Sequence, residues 1–137
     1  MEILGSDISE ASLQAARRGV YNEYTMRNVP PGLKLKYFSL TDGGYAVKES
    51  VKRLVRFSNI NLFDQKRLKL IRGQDTIFCR NVLIYFDEEA KKRVVASLYD
   101  ALNQGGYLFI GHSESLHGIS KAFKLVHFTR AMGYKKE

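Results

Sequence analysis

Apolar residues along this chain fall into short runs of strand length, separated by polar turns, with helical spacing in two stretches. Glu2-Ile3-Leu4-Gly5-Ser6-Asp7 predicts a short strand that ends in a polar turn. Ser9 then precedes Glu10, Leu13, Ala15 and Ala16, which predicts a capped helix closing near Gly19. From Val20 to Asn59 the turn signals Pro30-Pro31-Gly32 and Asp42-Gly43-Gly44 divide apolar runs at Leu33 to Leu40, Tyr45 to Val51 and Leu54 to Phe57. These runs predict a small antiparallel β insert over 20–56.

Gln74 to Cys79 is a nearly continuous apolar run, the pattern of a strand buried on both faces of a parallel sheet. Asp87, Glu88 and Glu89 open a helix in which Val94, Val95, Leu98, Ala101 and Leu102 recur at helical spacing, and Gly105-Gly106 supplies its stop. Tyr107 to Ile110 predicts another buried strand. After a loop from Gly111 to Ser120, Phe123 to Phe128 and Ala131 to Lys135 predict a closing antiparallel hairpin. Strands alternating with helices, followed by such a hairpin, predict an α/β doubly wound sheet, whose ligands bind beyond the carboxyl ends of the strands.

Composition narrows the class. The 137 residues include 45% hydrophobic and 12% aromatic side chains, enough for the core of one domain, and no low-complexity run or repeat interrupts them. No apolar stretch has the length of a bilayer span, and the start lacks the pattern of a signal peptide, so a cytoplasmic location without membrane insertion is expected. The single Cys79 cannot close an intramolecular disulfide and reads as a small buried hydrophobe. A net charge of +8 favours anionic partners, and much of the excess lies between Lys34 and Arg72. Charge alone leaves open a solvated face, an acidic protein surface, lipid or nucleic acid.

Five stretches carry a resemblance: Ser6-Asp7-Ile8, the SNINLF run from Ser58 to Phe63, Phe78-Cys79-Arg80-Asn81-Val82, Ile84-Tyr85-Phe86-Asp87 and Gly111-His112-Ser113-Glu114-Ser115. Together, in this order and spacing, they resemble CheR, the S-adenosylmethionine-dependent protein-glutamate O-methyltransferase of bacterial chemotaxis receptors. The resemblance implies a partial class I methyltransferase sheet, Rossmann-like, with residues 20–56 as the family's β-subdomain. It also implies S-adenosylmethionine as donor, S-adenosylhomocysteine as product, no metal, and methyl-accepting chemotaxis receptors as partners, with no nucleic acid. The hairpin connection around Ser39 to Gly44 looks shorter than in relatives that dock a receptor's C-terminal pentapeptide, and so resembles the pentapeptide-independent class.

Residue by residue, the resemblance assigns donor binding to Asp7, Asn61, Leu62, Arg80, Asn81 and Tyr85, with Arg80 and Tyr85 at the reacting centre. Asp7 ends a strand, where a carboxylate can accept both ribose hydroxyls; by itself it reads more readily as a turn or helix-capping aspartate, and the resemblance turns the reading to ribose binding. Asn61 and Leu62 lie in the stretch that meets adenine in the family; alone they are a loop amide and a core leucine. Asn81 could cap a turn, and Tyr85, four residues on, could be core. Methyl transfer to a carboxylate needs no strong general base, because that oxygen is already nucleophilic at neutral pH. Ser113 lacks the second glycine of a nucleophile elbow, and Cys79, His112, His117 and His127 have no zinc-ligand spacing.

Against the family pattern, only six residues precede Asp7, where CheR has a helical N-terminal domain, a strand and a glycine-rich donor loop. The chain therefore reads as the C-terminal part of the catalytic domain. Two consequences are expected: weak or absent donor binding, with weak or absent activity, by the isolated chain, and repair of the missing central strand. The repair would come either from direct pairing of the strands ending at Asp7 and Cys79 or from a swapped or edge-paired homodimer. The competing function is a basic protein- or RNA-binding module without catalysis.

Overall fold

In the computed structural model, which describes residues 1–137, the first unit runs from Met1 to Asn61 and the second from Leu62 to Glu137. The first unit begins with β1 (Ile3–Asp7) and α1 (Glu10–Arg18). Ser9 caps α1 as its position predicts, its hydroxyl oxygen accepting from the Ser12 amide at 3.2 Å. Gly19 ends the helix at φ 63°, a left-handed conformation that costs glycine no Cβ clash.

β2 (Val20–Tyr21), α2 (Pro31–Tyr37), β3 (Phe38–Thr41), β4 (Gly44–Val47) and α3 (Glu49–Lys52) follow. The three strands form an antiparallel sheet in the order β2, β4, β3, with Asp42-Gly43 as a two-residue turn between Thr41 and its ladder partner Gly44. The run Leu33 to Leu40, expected as one strand, is instead split between α2 and β3. Pro31 stands at the start of α2, where its missing N–H forfeits no helical hydrogen bond, so the Pro-Pro-Gly segment opens a helix. That helix buries none of its residues, and Leu35 is 80% exposed.

β5 (Val55–Asn59) brings a second correction. The run Leu54 to Phe57, grouped with the antiparallel strands on sequence, enters a strand parallel to β1, with Ile3 opposite Val55 and Asp7 opposite Asn59. A two-residue alternation is common to parallel and antiparallel strands, so the pattern could not select the partner.

The second unit contains α4 (Gln65–Leu68), β6 (Gln74–Cys79), a 3-10 turn at Leu83–Tyr85, α5 (Glu88–Ala101), β7 (Leu102–Ile110), β8 (Lys124–Phe128) and β9 (Ala131–Lys135). Its sheet has the order β6, β7, β9, β8, with β6 and β7 parallel and the remaining pairs antiparallel. Asp87 caps α5, accepting from the Ala90 amide at 2.8 Å. Val94, Val95 and Leu98 of this helix are buried in one cluster with Cys79, Leu83, Leu102, Leu108 and Leu116. Each such side chain contributes roughly 1.5–3 kcal/mol when fully buried.

Two sequence expectations change here. Gly105-Gly106 does not stop α5; the helix ends at Ala101 and both glycines lie inside β7. A Cβ on Gly106 would sit 3.0 Å from the Asp75 carbonyl oxygen, so the glycine permits a close backbone approach at a register shift of the β6–β7 pair. Nor is β6 covered on both faces: Ile77 and Cys79 join the core with α5, whereas Phe78 is 72% exposed and stacks on Phe109 at 5.2 Å between ring centres. Every strand ladder stays within one unit. β1 pairs with β5 and β6 with β7, so the expected direct pairing of the strands ending at Asp7 and Cys79 is not formed.

Candidate functional site

Asp7 and Asn59 end the two parallel strands of the first unit opposite one another. Asp7 Oδ1 accepts from the Ser9 amide at 2.9 Å, an Asx turn that leads the chain into α1, and the side chain is exposed. The helix cap is Ser9, so Asp7 is a turn residue with its carboxylate at the carboxyl edge. Asn59, which the sequence reading did not single out, ties this edge together: Nδ2 donates to the Ile8 carbonyl at 3.1 Å and to Glu10 Oε1 at 3.0 Å. Ile60 is buried and donates its amide to the Asp7 carbonyl at 3.2 Å, and Asn61, exposed, follows it. Leu62 is half-buried and packs against the core of the second unit.

In the second unit Arg80 and Asn81 leave the carboxyl end of β6. Asn81 is the only non-glycine residue with positive φ, at 58°. Its amide donates to Glu114 Oε1 at 2.7 Å, and the same oxygen accepts from the Gly111 amide, also at 2.7 Å. Glu114 Oε2 accepts from the Ile84 amide at 3.2 Å. One carboxylate therefore joins the exit of β6, the 3-10 turn and the exit of β7 through bonds of the charge-assisted kind. The sequence reading gave Glu114 no role within Gly111 to Ser115. Its position three residues after a glycine at a strand end was the available signal, and its partners Asn81 and Ile84 lie too far away in sequence for any local spacing rule to find.

Gly111 has no room for a side chain: a Cβ would lie 2.6 Å from Glu114 Oε1 and 3.1 Å from the Asn81 amide nitrogen. Burial, assisted by the Glu114 charge, pushes the Cys79 thiol up to about 11. Cys79 is therefore a neutral packing group, as its composition context implied. Leu83 buries in the 3-10 turn, while Tyr85 two residues on is 80% exposed and so is not core. Arg80 is exposed as well and enters none of the chain's ion pairs. A pocket of about 100 Å³ is lined by Glu114 together with Leu83, Ile84, Lys91, Ser113 and Leu116 among others. No three His, Cys, Asp or Glu side chains converge as metal ligands would.

The second unit thus presents a guanidinium, a carboxamide and a phenol at the carboxyl edge of a parallel strand pair. These groups suit a polar ligand that carries a carboxylate. Of the sequence-derived site residues, Arg80, Asn81, Tyr85 and Leu62 belong to this unit, and Asp7 and Asn61 to the other.

Residues 1–132 match the family model described as CheR methyltransferase, SAM binding domain. The chain is 41% identical over 137 residues to chemotaxis protein methyltransferase 2 of Vibrio cholerae, covering 99% of this chain and 48% of that protein. It is 42% identical over 119 residues to a chemotaxis protein methyltransferase of Borreliella burgdorferi, covering 86% of this chain and 42% of that one. The chain spans about half the length of the curated relatives it matches. Among solved structures, the magnesium protoporphyrin IX methyltransferase of Synechocystis PCC 6803, with bound SAM, superposes with TM-score 0.52 at 18% identity over 98% of this chain and 60% of that chain. An rRNA methyltransferase of Streptomyces viridochromogenes gives TM-score 0.52 at 14% identity over 98% of this chain and 65% of that chain. At these identities the likeness shows the fold: a partial class I methyltransferase sheet.

Proposed function

Because the chain belongs to the CheR methyltransferase family through its S-adenosylmethionine-binding domain, we propose that it supplies donor-binding and catalytic residues of a protein-glutamate O-methyltransferase acting on chemotaxis receptors. The family match over 1–132 carries this reading. Exposed polar side chains at the carboxyl ends of β1 and β6 support it, since that is where sheets of this kind take ligands.

In this reading the Asp7 carboxylate, with Oδ1 already turned to Ser9, accepts ribose hydroxyls. Asn61 hydrogen-bonds the adenine edge and Leu62 covers its face. Arg80, Asn81 and Tyr85 line the donor's reacting end, and Arg80 and Tyr85 align the incoming glutamate. The donor supplies an activated methyl on a sulfonium. The residues then need only to align a carboxylate oxygen and exclude water, since that oxygen requires no general base. The fit rests on chemistry present in the chain: a carboxylate for hydroxyls in one unit, and a cation, an amide and a phenol in the other.

The part of residues 20–56 that precedes β5 would serve as the receptor-facing β-subdomain. The antiparallel β2–β4–β3 sheet supports this assignment, and the two-residue Asp42-Gly43 turn supports docking without a receptor pentapeptide. A receptor-tail peptide titrated against the chain should then leave the resonances of β3 and β4 unmoved.

Amide NMR of the chain titrated with millimolar S-adenosylhomocysteine tests the donor assignment. Shifts at Asp7, Asn61, Asn81 and Tyr85, weakened by Asp7→Ala and by Arg80→Ala, are the expected outcome, with affinity weaker than low micromolar. No shift at any of these residues would end the assignment. A base-labile methyl ester formed on receptor glutamates from labelled donor tests the reaction itself.

A further inference from the structure

We propose that Glu114 is a positioning residue for the donor site, its carboxylate holding Asn81 in the left-handed conformation and Gly111 at the exit of β7. The proposal rests on the reading that this edge takes S-adenosylmethionine. A left-handed non-glycine residue carries a conformational cost that persists only where surrounding contacts impose it. At Asn81 the imposing contact is the 2.7 Å bond from its amide to Glu114 Oε1.

Three features of the chain interlock there. The carboxylate oxygen needs both the Asn81 and Gly111 amides to point at it, and both do at 2.7 Å. The Gly111 position must lack a Cβ, since one would come within 2.6 Å of that same oxygen. The second oxygen reaches the Ile84 amide at 3.2 Å and so fixes the turn that carries Tyr85. Glu114 therefore acts on the two residues proposed to meet the donor, on Asn81 through its own amide and on Tyr85 through the amide of its neighbour Ile84. Without it, the Gly111 amide, in a buried residue, and the Asn81 amide lose a shared acceptor.

Amide NMR and S-adenosylhomocysteine titration of the wild-type chain, Glu114→Ala and Glu114→Gln test this. In the wild type the Asn81 and Gly111 amide protons, bonded to a carboxylate, should resonate well downfield. In Glu114→Ala both should move upfield, and Asn81 should lose the coupling signature of positive φ. Affinity for S-adenosylhomocysteine should fall at least about tenfold, the scale of a lost charge-assisted bond. Glu114→Gln should retain the Asn81 and Gly111 signals, because its amide oxygen can take the shared position. It should displace Ile84, whose N–H would then face an NH₂ group.

Should Glu114→Ala not fold, the glutamine variant decides: an unmoved Ile84 resonance overturns the proposal. Unchanged Asn81 and Gly111 amides in a folded Glu114→Ala also overturn it, as does wild-type affinity in that variant. A wild-type chain whose Asn81 amide ignores the ligand overturns the donor reading together with the positioning role built on it. A wild type that responds, matched equally by Glu114→Ala, overturns the positioning role alone.

Discussion

Cys79 sits at the end of β6 with its thiol buried and pushed up from 9.0 to about 11. The folded chain thus keeps a proton that the unfolded chain releases from about pH 9. The stability that depends on this proton is intact below pH 9 and is lost as pH rises towards 11, by roughly 1 kcal/mol at pH 10. Urea unfolding of wild type and Cys79→Ala between pH 7 and 10.5 should show the excess alkaline slope in the wild type only. At Gly44 the constraint is backbone: φ is 121°, and a Cβ would collide with the Tyr21 carbonyl oxygen. Gly44→Ala should cost more than about 1 kcal/mol, read as a lower urea midpoint with lost amide protection in β2 and β4. At this scale the sequence revealed residue types and not their partners. Asp7, Asn81 and Tyr85 could be picked out as candidates from their places in the family's motifs, yet Glu114 could not, because the amides it binds at Asn81 and Ile84 lie 33 and 30 residues away.

Helix α5 shows what local pattern settles. Asp87 as cap, acidic residues in the first turn and the stripe Val94, Val95, Leu98, Ala101 were all legible, because capping and helical spacing are local properties. Asp87→Ala, which removes the bond to the Ala90 amide, should lower stability by about 1 kcal/mol without moving the fold, as thermal unfolding with circular dichroism would show. Strand ends and partners were less legible. β7 starts at Leu102 because that residue pairs with Gln74, a contact between segments nearly thirty residues apart, and the glycines after it then serve the ladder and not the helix stop. Likewise β5 looks like one more strand of the antiparallel insert until its ladder with β1 is seen.

Across the molecule, the sheet of the second unit has α5 packed with one face, and on the opposite face Phe78, Phe109, Tyr107 and Phe128 form a chain of ring contacts 5.2 to 6.1 Å apart. Phe78 and Phe128 remain substantially exposed. β1 and β6 each also have one edge without a ladder partner. Exposed apolar sheet surface with open edges favours association between copies. Light scattering of the isolated chain should give a mass that rises with concentration, and Phe78→Glu should suppress the rise; a constant monomer mass in the wild type would contradict this. The sequence by itself determined the family, the α/β class, the capped helices and most of the residues proposed for the site, because these follow from local spacing and from motifs that keep their order along the chain. Tertiary structure alone decided that β5 pairs with β1, which face of β6 is left open, and that one glutamate brings the amides of Asn81 and Ile84 to that of Gly111. These are meetings of residues far apart in the chain, fixed by packing and hydrogen-bond satisfaction that no window of neighbours contains.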